Sequence, residues 1–264
     1  MTEDSTTTVS FSPTVTGVAM STEARPAVDA LLVGLAGRHV MVVESFERGQ
    51  PWQLLPEEAA VVANARPARQ AEFAAVRGCA RAALARLGVA PTAILPDGSG
   101  PMWAARAPRW PAAVVGSMTH VAGYAGAAVA LAAQVASVGI DAETNAPLPD
   151  GLRDFVTLPE ERAQLDRLGP AGDGVAWDRL LFSAKEAVYK AWFPLTGRWL
   201  GFDGCRIDLD PAGSFQAQLV GDFLTVDGRQ LDRLDGRWRR ASAGGAELLA
   251  TVVTIPRTGA VYDW

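Results

Sequence analysis

Residues 180–194 read Leu-Leu-Phe-Ser-Ala-Lys-Glu-Ala-Val-Tyr-Lys-Ala-Trp-Phe-Pro, and this stretch decides the fold. At the 100° per residue of an α-helix, its apolar side chains and those just before it share one continuous stripe. Pro194 should end the helix soon afterwards. We therefore predict a helix with one buried face, formed by Trp177, Leu180, Leu181, Ala184, Ala187, Val188, Ala191 and Trp192.

Glu186 and Lys190 lie four residues apart on the face opposite this stripe, with Lys185 on its flank. Considered alone, such a pair is most simply a solvated ion pair that stabilises a helix by a few tenths of a kcal/mol. A functional role needs further charged groups from elsewhere in the chain.

Such groups occur in the segment Val138–Glu143, Val-Gly-Ile-Asp-Ala-Glu, which follows an apolar run. In a strand, Asp141 and Glu143 point to the same side. Two close carboxylates repel each other unless a cation lies between them, and their hard oxygens suit Mg²⁺. The simpler alternative is a strand that ends in a polar turn. Together with Glu186, however, the two could hold one metal, and Lys190 would then neutralise a phosphate-rich ligand.

The succession of Val-Gly-Ile-Asp-x-Glu and Phe-Ser-x-Lys-Glu-Ala-x-x-Lys resembles the signature of the 4′-phosphopantetheinyl transferases. It is most similar to the type that activates surfactin and enterobactin synthetases. The likeness runs from about Leu54 to Ile207. Further matching motifs are Arg69-x-x-Glu72-Phe73, Val76-Arg77, Cys79-Ala80-Arg81, Gly116–His120, Tyr189–Pro194 and Trp199–Phe202.

The resemblance implies an α+β fold of two pseudo-related α/β halves that form one compact unit with the site between them. We expect a disordered tail at residues 1–24, an N-terminal half at 25–136 with the coenzyme A phosphate contacts, and a C-terminal half at 137–264 with the metal and catalytic residues. No short internal repeat is apparent in the sequence.

The resemblance also implies roles for individual side chains. Arg69 and Arg77 would grip the phosphates of coenzyme A, since guanidinium groups bind phosphate oxygens in pairs. His120 would contact the 3′-phosphate. The full sets are Glu186 and Lys190 for catalysis; Arg69, Arg77, Thr119, His120, Asp141 and Lys190 for coenzyme A; and Asp141, Glu143 and Glu186 for Mg²⁺.

Residues 91–111 are rich in Pro, Gly and Ala and are predicted to form a loop. Here the sequence departs from the family pattern, because the turn Pro96–Ser99 has no lysine and Met102–Arg109 looks like an insertion. Nucleotide contacts from this loop are therefore open, and Arg106 or Arg109 could supply them.

The remaining segments have coarser predictions. The run from Tyr124 to the Asp-x-Glu end is expected to be one buried strand, and the C-terminal region an antiparallel meander. Helices are expected at residues 27–35, 67–87 and 152–168, the first ending at Gly37. The aromatic patch Trp199–Phe202 belongs either to the core or to the border of an acceptor site.

Composition excludes several classes of protein. A net charge of −5 and a pI near 5.1 argue against a nucleic-acid-binding protein. The two cysteines, Cys79 and Cys205, suggest neither a disulfide framework nor a zinc site. The sequence contains no credible membrane span or signal peptide, so we expect a cytoplasmic protein. We also expect it to be a monomer.

The predicted function is the Mg²⁺-dependent transfer of 4′-phosphopantetheine from coenzyme A to a serine of an acyl or peptidyl carrier protein, with release of 3′,5′-ADP. Mg²⁺ would offset charge on the leaving group, and Lys190 would pair with a pyrophosphate oxygen. Glu186 would accept the serine proton, either directly or through a metal-bound water. Two alternatives remain: a Mg²⁺-dependent phosphoesterase that uses the same carboxylates with water, and a non-catalytic nucleotide- or carrier-binding module.

Overall fold

The chain alternates helices with antiparallel strands in two successive groups. The computed structural model describes residues 30–46, 52–90, 92–99, 101, 104–121, 123–169, 174–243 and 245–259, so the predicted tail at residues 1–24 lies outside it. The first group is β1 (Met41–Ser45), α1 (Pro56–Val62), α2 (Pro67–Arg86), β2 (Val114–Val121) and β3 (Tyr124–Leu131).

The second group contains three helices and seven strands of the described chain. They are β4 (Val135–Thr144), α3 (Leu152–Val156), α4 (Pro159–Leu168), α5 (Trp177–Thr196), β5 (Cys205–Asp210), β6 (Ser214–Leu219), β7 (Leu224–Val226), β8 (Arg229–Leu231), β9 (Arg233–Ala243) and β10 (Ala246–Pro256). This is the predicted mixed α+β architecture. The division at residue 136 stays a prediction.

The two groups share one topology. The first sheet has the strand order β1-β3-β2, the second β4-β10-β9-β6-β5, and β7 and β8 form a separate hairpin. In each group the first strand pairs antiparallel with the last, and the strand preceding the last lies beyond it. The C-terminal half adds β5 and β6 at its outer edge, which completes the expected antiparallel meander.

The two halves also share a short sequence repeat, so the expectation that the chain has no short internal repeat is wrong. The tetrapeptide Leu-Pro-Glu-Glu occurs at Leu55–Glu58 and again at Leu158–Glu161. Each copy opens a helix, with proline at the first helical position and the second glutamate accepting a hydrogen bond from the N–H of the leucine.

Both glutamates of the repeat are buried and meet equivalent partners. Glu58 pairs with Arg81 of α2 and accepts a hydrogen bond from the N–H of Ile94. The matching glutamate in the C-terminal half pairs with Lys185 of α5 and accepts from the N–H of Ile207. In each half, one buried carboxylate thus connects the short helix (α1 or α4) to the long helix (α2 or α5) and to the segment that follows the long helix.

Helix α5 buries the predicted stripe completely, with all eight side chains in the core. It packs on β4 and β10. The helix ends soon after Pro194, as predicted: α5 continues to Thr196, and Gly197 then adopts a left-handed conformation (φ 64°) and donates to the carbonyl of Phe193. Proline in the last turn removes only one helical hydrogen bond and keeps a helical φ, so the helix tolerates it.

Three predicted elements are wrong in detail. The run after Tyr124 forms two strands, β3 and β4, separated by a turn at residues 132–134. The helical segment 152–168 breaks before Pro159, because a residue that precedes proline favours extended backbone and Leu158 has ψ 159°. Residues 30–35 form turns instead of a helix, and the N–H groups of Leu31 and Leu32 donate to Glu44.

In the parts of the chain that the structure describes, no helix combines the length and apolar character required to cross a membrane.

Candidate active site

A cleft of about 770 Å³ lies between the two halves. The N-terminal half contributes α2, β2 and the segment around residues 97–110; the C-terminal half contributes β4, α5 and the segment after α5. Its charged lining comprises Arg69, Glu72, Arg77, Asp97, Arg106, Arg109, His120, Asp141, Lys185, Glu186 and Lys190. Seven of the eight predicted site residues therefore share one cleft, and Glu143 lies outside its lining.

The carboxylate end of the cleft forms where β4 passes α5. Gly139 permits this approach: a Cβ there would overlap the carbonyl oxygen of Ala187 and come within 2.7 Å of the amide nitrogen of Ala191. This glycine belongs to the motif Val-Gly-Ile-Asp-x-Glu, and its role depends on a contact that the motif alone does not indicate. Because β4 lies directly against the α5 backbone, Asp141, two residues further on, reaches Lys190.

Lys190 pairs with Asp141, not with Glu186 on its own helix. Its ammonium group lies 2.7 Å from Oδ1 of Asp141 and 3.1 Å from the carbonyl oxygen of Ile140. Within the described residues, the carboxylate of Glu186 makes no hydrogen bond or ion pair. Glu186 is therefore a half-buried carboxylate that faces the cleft and has no partner among the described side chains.

The carboxylates at this end lie in one another's electric field. Burial raises the pKa of Glu186; Lys190 opposes that shift, while Asp141 and Glu143 add to it. Burial and Asp141 likewise raise the pKa of Glu143, against the effect of Arg179. The cluster therefore favours a cation that would offset the repulsion.

Glu143 has a cationic partner already. Its carboxylate lies 3.0 Å from the guanidinium of Arg179, which also donates to the carbonyl oxygens of Ala146 and Pro147. Arg179 thus holds both Glu143 and the turn that follows β4. Sequence reasoning missed Arg179, because nothing in its spacing connects it to the Asp-x-Glu pair.

The donor set suits a divalent cation. Oδ2 of Asp141 is buried and has no hydrogen-bond partner in the part of the chain that the structure describes, so this oxygen is available for a ligand. No three Asp, Glu, His or Cys side chains of the described residues are already arranged to hold a metal ion. Asp141 and Glu186 face the cleft and Glu143 is held by Arg179. The predicted three-carboxylate set thus stays a prediction, with chemistry that fits Mg²⁺.

Strand β2 connects to β4 through two hydroxyl groups. Ser117 accepts a hydrogen bond from the N–H of Ile140 at 3.1 Å, and Thr119 accepts one from the N–H of Ala142 at 3.0 Å. Thr119 also donates to Asp141 at 3.4 Å. The predicted contact of Thr119 with coenzyme A stays a prediction; in this structure its hydroxyl positions Asp141.

Arg69, Arg77 and His120 line the cleft on the side of the N-terminal half, and we call this cluster the cationic wall. Arg69 donates to Nε2 of His120 at 2.9 Å, and Glu72 lies 3.6 Å from the same nitrogen. Burial, then Arg69, lowers the pKa of His120; Lys190 and Arg77 act in the same direction. Glu72 opposes this shift. The positive charge of Arg69, Arg77 and Lys190 around His120 thus exceeds the negative charge of Glu72, and such an excess favours an anion.

Arg77 is mostly buried in this wall. Its Nε donates to the carbonyl of Ile94 at 3.3 Å, and its guanidinium lies 3.6 Å from the centre of the Phe73 ring. Burial lowers the pKa of Arg77 to about 10, and Arg69 adds to the shift. The guanidinium therefore remains charged at neutral pH and is held in place.

The other end of the cleft is aromatic and apolar. Tyr189 packs against Trp199, with ring centroids 5.1 Å apart, and against Phe193. Lys185, buried with its carboxylate partner on α4, donates to the carbonyl of Phe202 and so fixes the chain after α5. The predicted patch Trp199–Phe202 therefore lines the cleft, and Trp199 is 55% exposed.

The described chain is thus a two-part α+β fold whose cleft joins a cationic wall, a carboxylate cluster and an apolar end. The model of the 4′-phosphopantetheinyl transferase N-terminal domain matches residues 57–130, and that of the 4′-phosphopantetheinyl transferase superfamily matches residues 137–242.

The sequences of individual relatives support the same family. The chain is 54% identical to 4′-phosphopantetheinyl transferase Svp of Streptomyces mobaraensis, over 76% of this chain and 78% of the relative. It is 48% identical to 4′-phosphopantetheinyl transferase PptT of Mycobacterium tuberculosis, over 70% and 80%. Identity to 4′-phosphopantetheinyl transferase Npt of Nocardia iowensis is 45%, over 74% and 88%. The chain belongs to the 4′-phosphopantetheinyl transferase family and is an enzyme of that class.

Proposed function

We propose that this enzyme moves 4′-phosphopantetheine from coenzyme A to a serine of an apo acyl or peptidyl carrier protein, with Mg²⁺, and releases 3′,5′-ADP. The observation that carries the proposal is the cluster of Asp141, Glu186 and Lys190 in the same cleft as the Arg69–His120 pair. Coenzyme A has phosphates at one end and an uncharged pantetheine arm at the other, and the cleft offers a surface for each.

The donor's position follows from these surfaces. Arg69, Arg77 and His120 bind the 3′-phosphate, since they form the cationic wall of the cleft. Lys190 contacts a pyrophosphate oxygen, because its ammonium group lies beside the carboxylate cluster. The pantetheine arm then runs along the apolar end, where Tyr189 lies against Trp199.

Asp141, Glu143 and Glu186 would hold Mg²⁺, which supplies charge neutralisation for the pyrophosphate when bound. To serve as a ligand, Glu143 must share its carboxylate with Arg179. Arg179 and Thr119 act through the carboxylates that they hold, so we assign them positioning roles.

Transfer requires one bond to form and one to break. The serine oxygen attacks the phosphorus next to the pantetheine, and the bond between that phosphorus and the oxygen of the leaving 3′,5′-ADP breaks. Glu186 accepts the serine proton, directly or through a water molecule, because its unpaired carboxylate faces the cleft and burial raises its pKa. Lys190 stabilises negative charge that develops on the phosphoryl oxygens.

The chain is best placed in the type that activates surfactin and enterobactin synthetases. The support is that one chain matches both the N-terminal domain model and the superfamily model of the family. We further propose a monomer with N- and C-terminal halves divided near residue 136, whose carriers belong to polyketide or nonribosomal peptide synthesis.

The test is incubation of the enzyme with coenzyme A, Mg²⁺ and an apo carrier protein, followed by intact-protein mass spectrometry of the carrier. Transfer adds the mass of phosphopantetheine to the carrier and releases 3′,5′-ADP. A Mg²⁺-dependent phosphoesterase would consume coenzyme A without carrier and leave the carrier unmodified. A binding module would leave both unchanged. Either result would refute the proposal.

Removing a contact to the 3′-phosphate should reduce the preference for coenzyme A over dephospho-coenzyme A, which differ only in that group. We expect the wild type to favour coenzyme A by about tenfold or more in kcat/KM, since charge-assisted hydrogen bonds contribute about 1.5–3 kcal/mol each. His120→Ala and either Arg69→Ala or Arg77→Ala should lower this ratio. The measurement is kcat/KM with both donors.

Arg66→Ala provides a control for this series, because Arg66 is exposed and lies outside the cleft lining. It should keep the wild-type donor ratio. Equal use of the two donors by the wild type would contradict the assignment of all three side chains.

The carrier should dock mainly through apolar contacts near the cleft, with Trp199, Leu200 and Phe202 as candidates. The enzyme carries a net charge of −5, and carrier proteins are expected to be acidic too, so long-range attraction is weak. We therefore expect Trp199→Ala to raise the carrier KM about tenfold. Salt raised through the physiological range should change the wild-type KM by less than about threefold. A steep rise with salt would show a basic docking surface instead.

A further inference from the structure

The segment between α2 and β2 forms one wall of the cleft and has a defined backbone structure. The N–H of Arg109 donates to the carbonyl of Leu95 at 2.8 Å, that of Asp97 to Ala107 at 2.8 Å, and that of Gly98 to Ala105 at 3.0 Å. We call residues 94–99 and 104–109 the hairpin lobe. The predicted loop therefore contains two arms that pair with each other.

The hairpin lobe is attached to α2 beside Arg77. Ile94, at its base, is fully buried; its carbonyl accepts a hydrogen bond from Arg77 and its N–H donates to Glu58. Since Arg109 pairs with the residue next to Ile94, the second arm begins close to the cationic wall. The position of the lobe is thus coupled to a side chain of the proposed phosphate site.

Two arginines of the hairpin lobe, Arg106 and Arg109, line the cleft and are exposed. Among the described residues neither makes an ion pair or a side-chain hydrogen bond. Asp97 also lines the cleft, but it is not within ion-pair distance of them. Two guanidinium groups thus face the cleft that holds Arg69 and Arg77, in a chain of net charge −5. Such a local excess of positive charge favours an anionic ligand.

We infer that Arg106 and Arg109 bind the phosphate groups at the nucleotide end of coenzyme A, so that the hairpin lobe determines affinity for the donor. This inference rests on the proposed function and names further residues of the same site. We assign the two arginines to the donor and not to an acidic carrier, because both belong to the hairpin lobe, which is attached to α2 beside Arg77. The apolar candidates for carrier contact belong instead to the chain after α5. Guanidinium groups bind phosphate oxygens bidentately, and two free ones match a phosphate group well.

The test is calorimetric binding of coenzyme A and of 3′,5′-ADP, which lacks the pantetheine arm, to four proteins in Mg²⁺ buffer. The proteins are wild type, Arg106→Ala/Arg109→Ala, Arg106→Lys/Arg109→Lys, and Arg229→Ala as a matched control. Arg229 is exposed on the β7–β8 hairpin, outside the cleft lining. The double alanine variant should raise both Kd values about tenfold or more and weaken the salt dependence of binding. The double lysine variant should recover part of the affinity, and the control should match wild type.

A kinetic measurement then tests whether the arginines contact the carrier. At saturating coenzyme A, the KM for the carrier should stay within about twofold of wild type in the double alanine variant. Unchanged Kd values in that variant would overturn the inference. So would a raised carrier KM with normal donor binding, since the arginines would then face the carrier. In both cases the wild type still transfers phosphopantetheine. A wild type that neither binds coenzyme A nor modifies carriers would instead refute the proposed function.

Discussion

Asp141→Ala and Glu186→Gln should each lower phosphopantetheine transfer by about two orders of magnitude or more while the fold stays intact. Both side chains belong to the carboxylate cluster, and under the proposed function loss of either removes a charge that would position Mg²⁺ and the donor. Asp141→Ala also leaves Lys190 without its carboxylate partner. The measurements are kcat/KM with coenzyme A and an apo carrier, and the thermal unfolding midpoint.

Glu160→Gln is a matched control, because Glu160 is an exposed carboxylate in the first turn of α4 and lies outside the cleft. It should keep wild-type transfer. Direct titration with Mg²⁺ or Mn²⁺ provides a second measurement that does not depend on turnover, and both site variants should bind the ion more weakly. Folded site variants with near-wild-type transfer would refute the assignment of the cluster.

Gly139→Ala should destabilise the protein by about 3 kcal/mol or more and reduce transfer in whatever protein remains folded. The added Cβ would collide with the backbone of α5 at Ala187 and Ala191, and backbone cannot move aside as a flexible side chain can. A shift of β4 away from α5 would relieve the collision but would also lengthen the contact between Asp141 and Lys190. Denaturant unfolding measures the first effect, and kcat/KM under conditions that keep the variant folded measures the second.

Gly151→Ala separates this packing effect from the ordinary cost of replacing a glycine. Gly151 has φ 79°, and a Cβ there would meet nothing within 4 Å. Its substitution should cost about 1 kcal/mol through backbone strain and leave transfer unchanged. Equal destabilisation by the two substitutions would contradict the role given to Gly139.

The buried face of α5 could be predicted from the sequence because helical periodicity is a local property. The pairing of Lys190 could not. Glu186 is its neighbour on the helix surface, yet Lys190 lies against Asp141, since the position of β4 against α5 is determined by packing at Gly139. Similarly, the Asp-x-Glu pattern placed two carboxylates on one strand but did not indicate that Arg179 holds the second.

By itself, the sequence determined the family, the α+β class, the long helices α2 and α5, and which residue types are available for phosphate and metal binding. These follow from motifs, periodicity and composition, which need no knowledge of distant contacts. Only the tertiary structure decided that Arg69 contacts His120, that Thr119 supports Asp141, and that the hairpin lobe directs its arginines into the cleft. The physical reason is that these contacts join segments far apart in the chain, so their geometry depends on how the two halves pack.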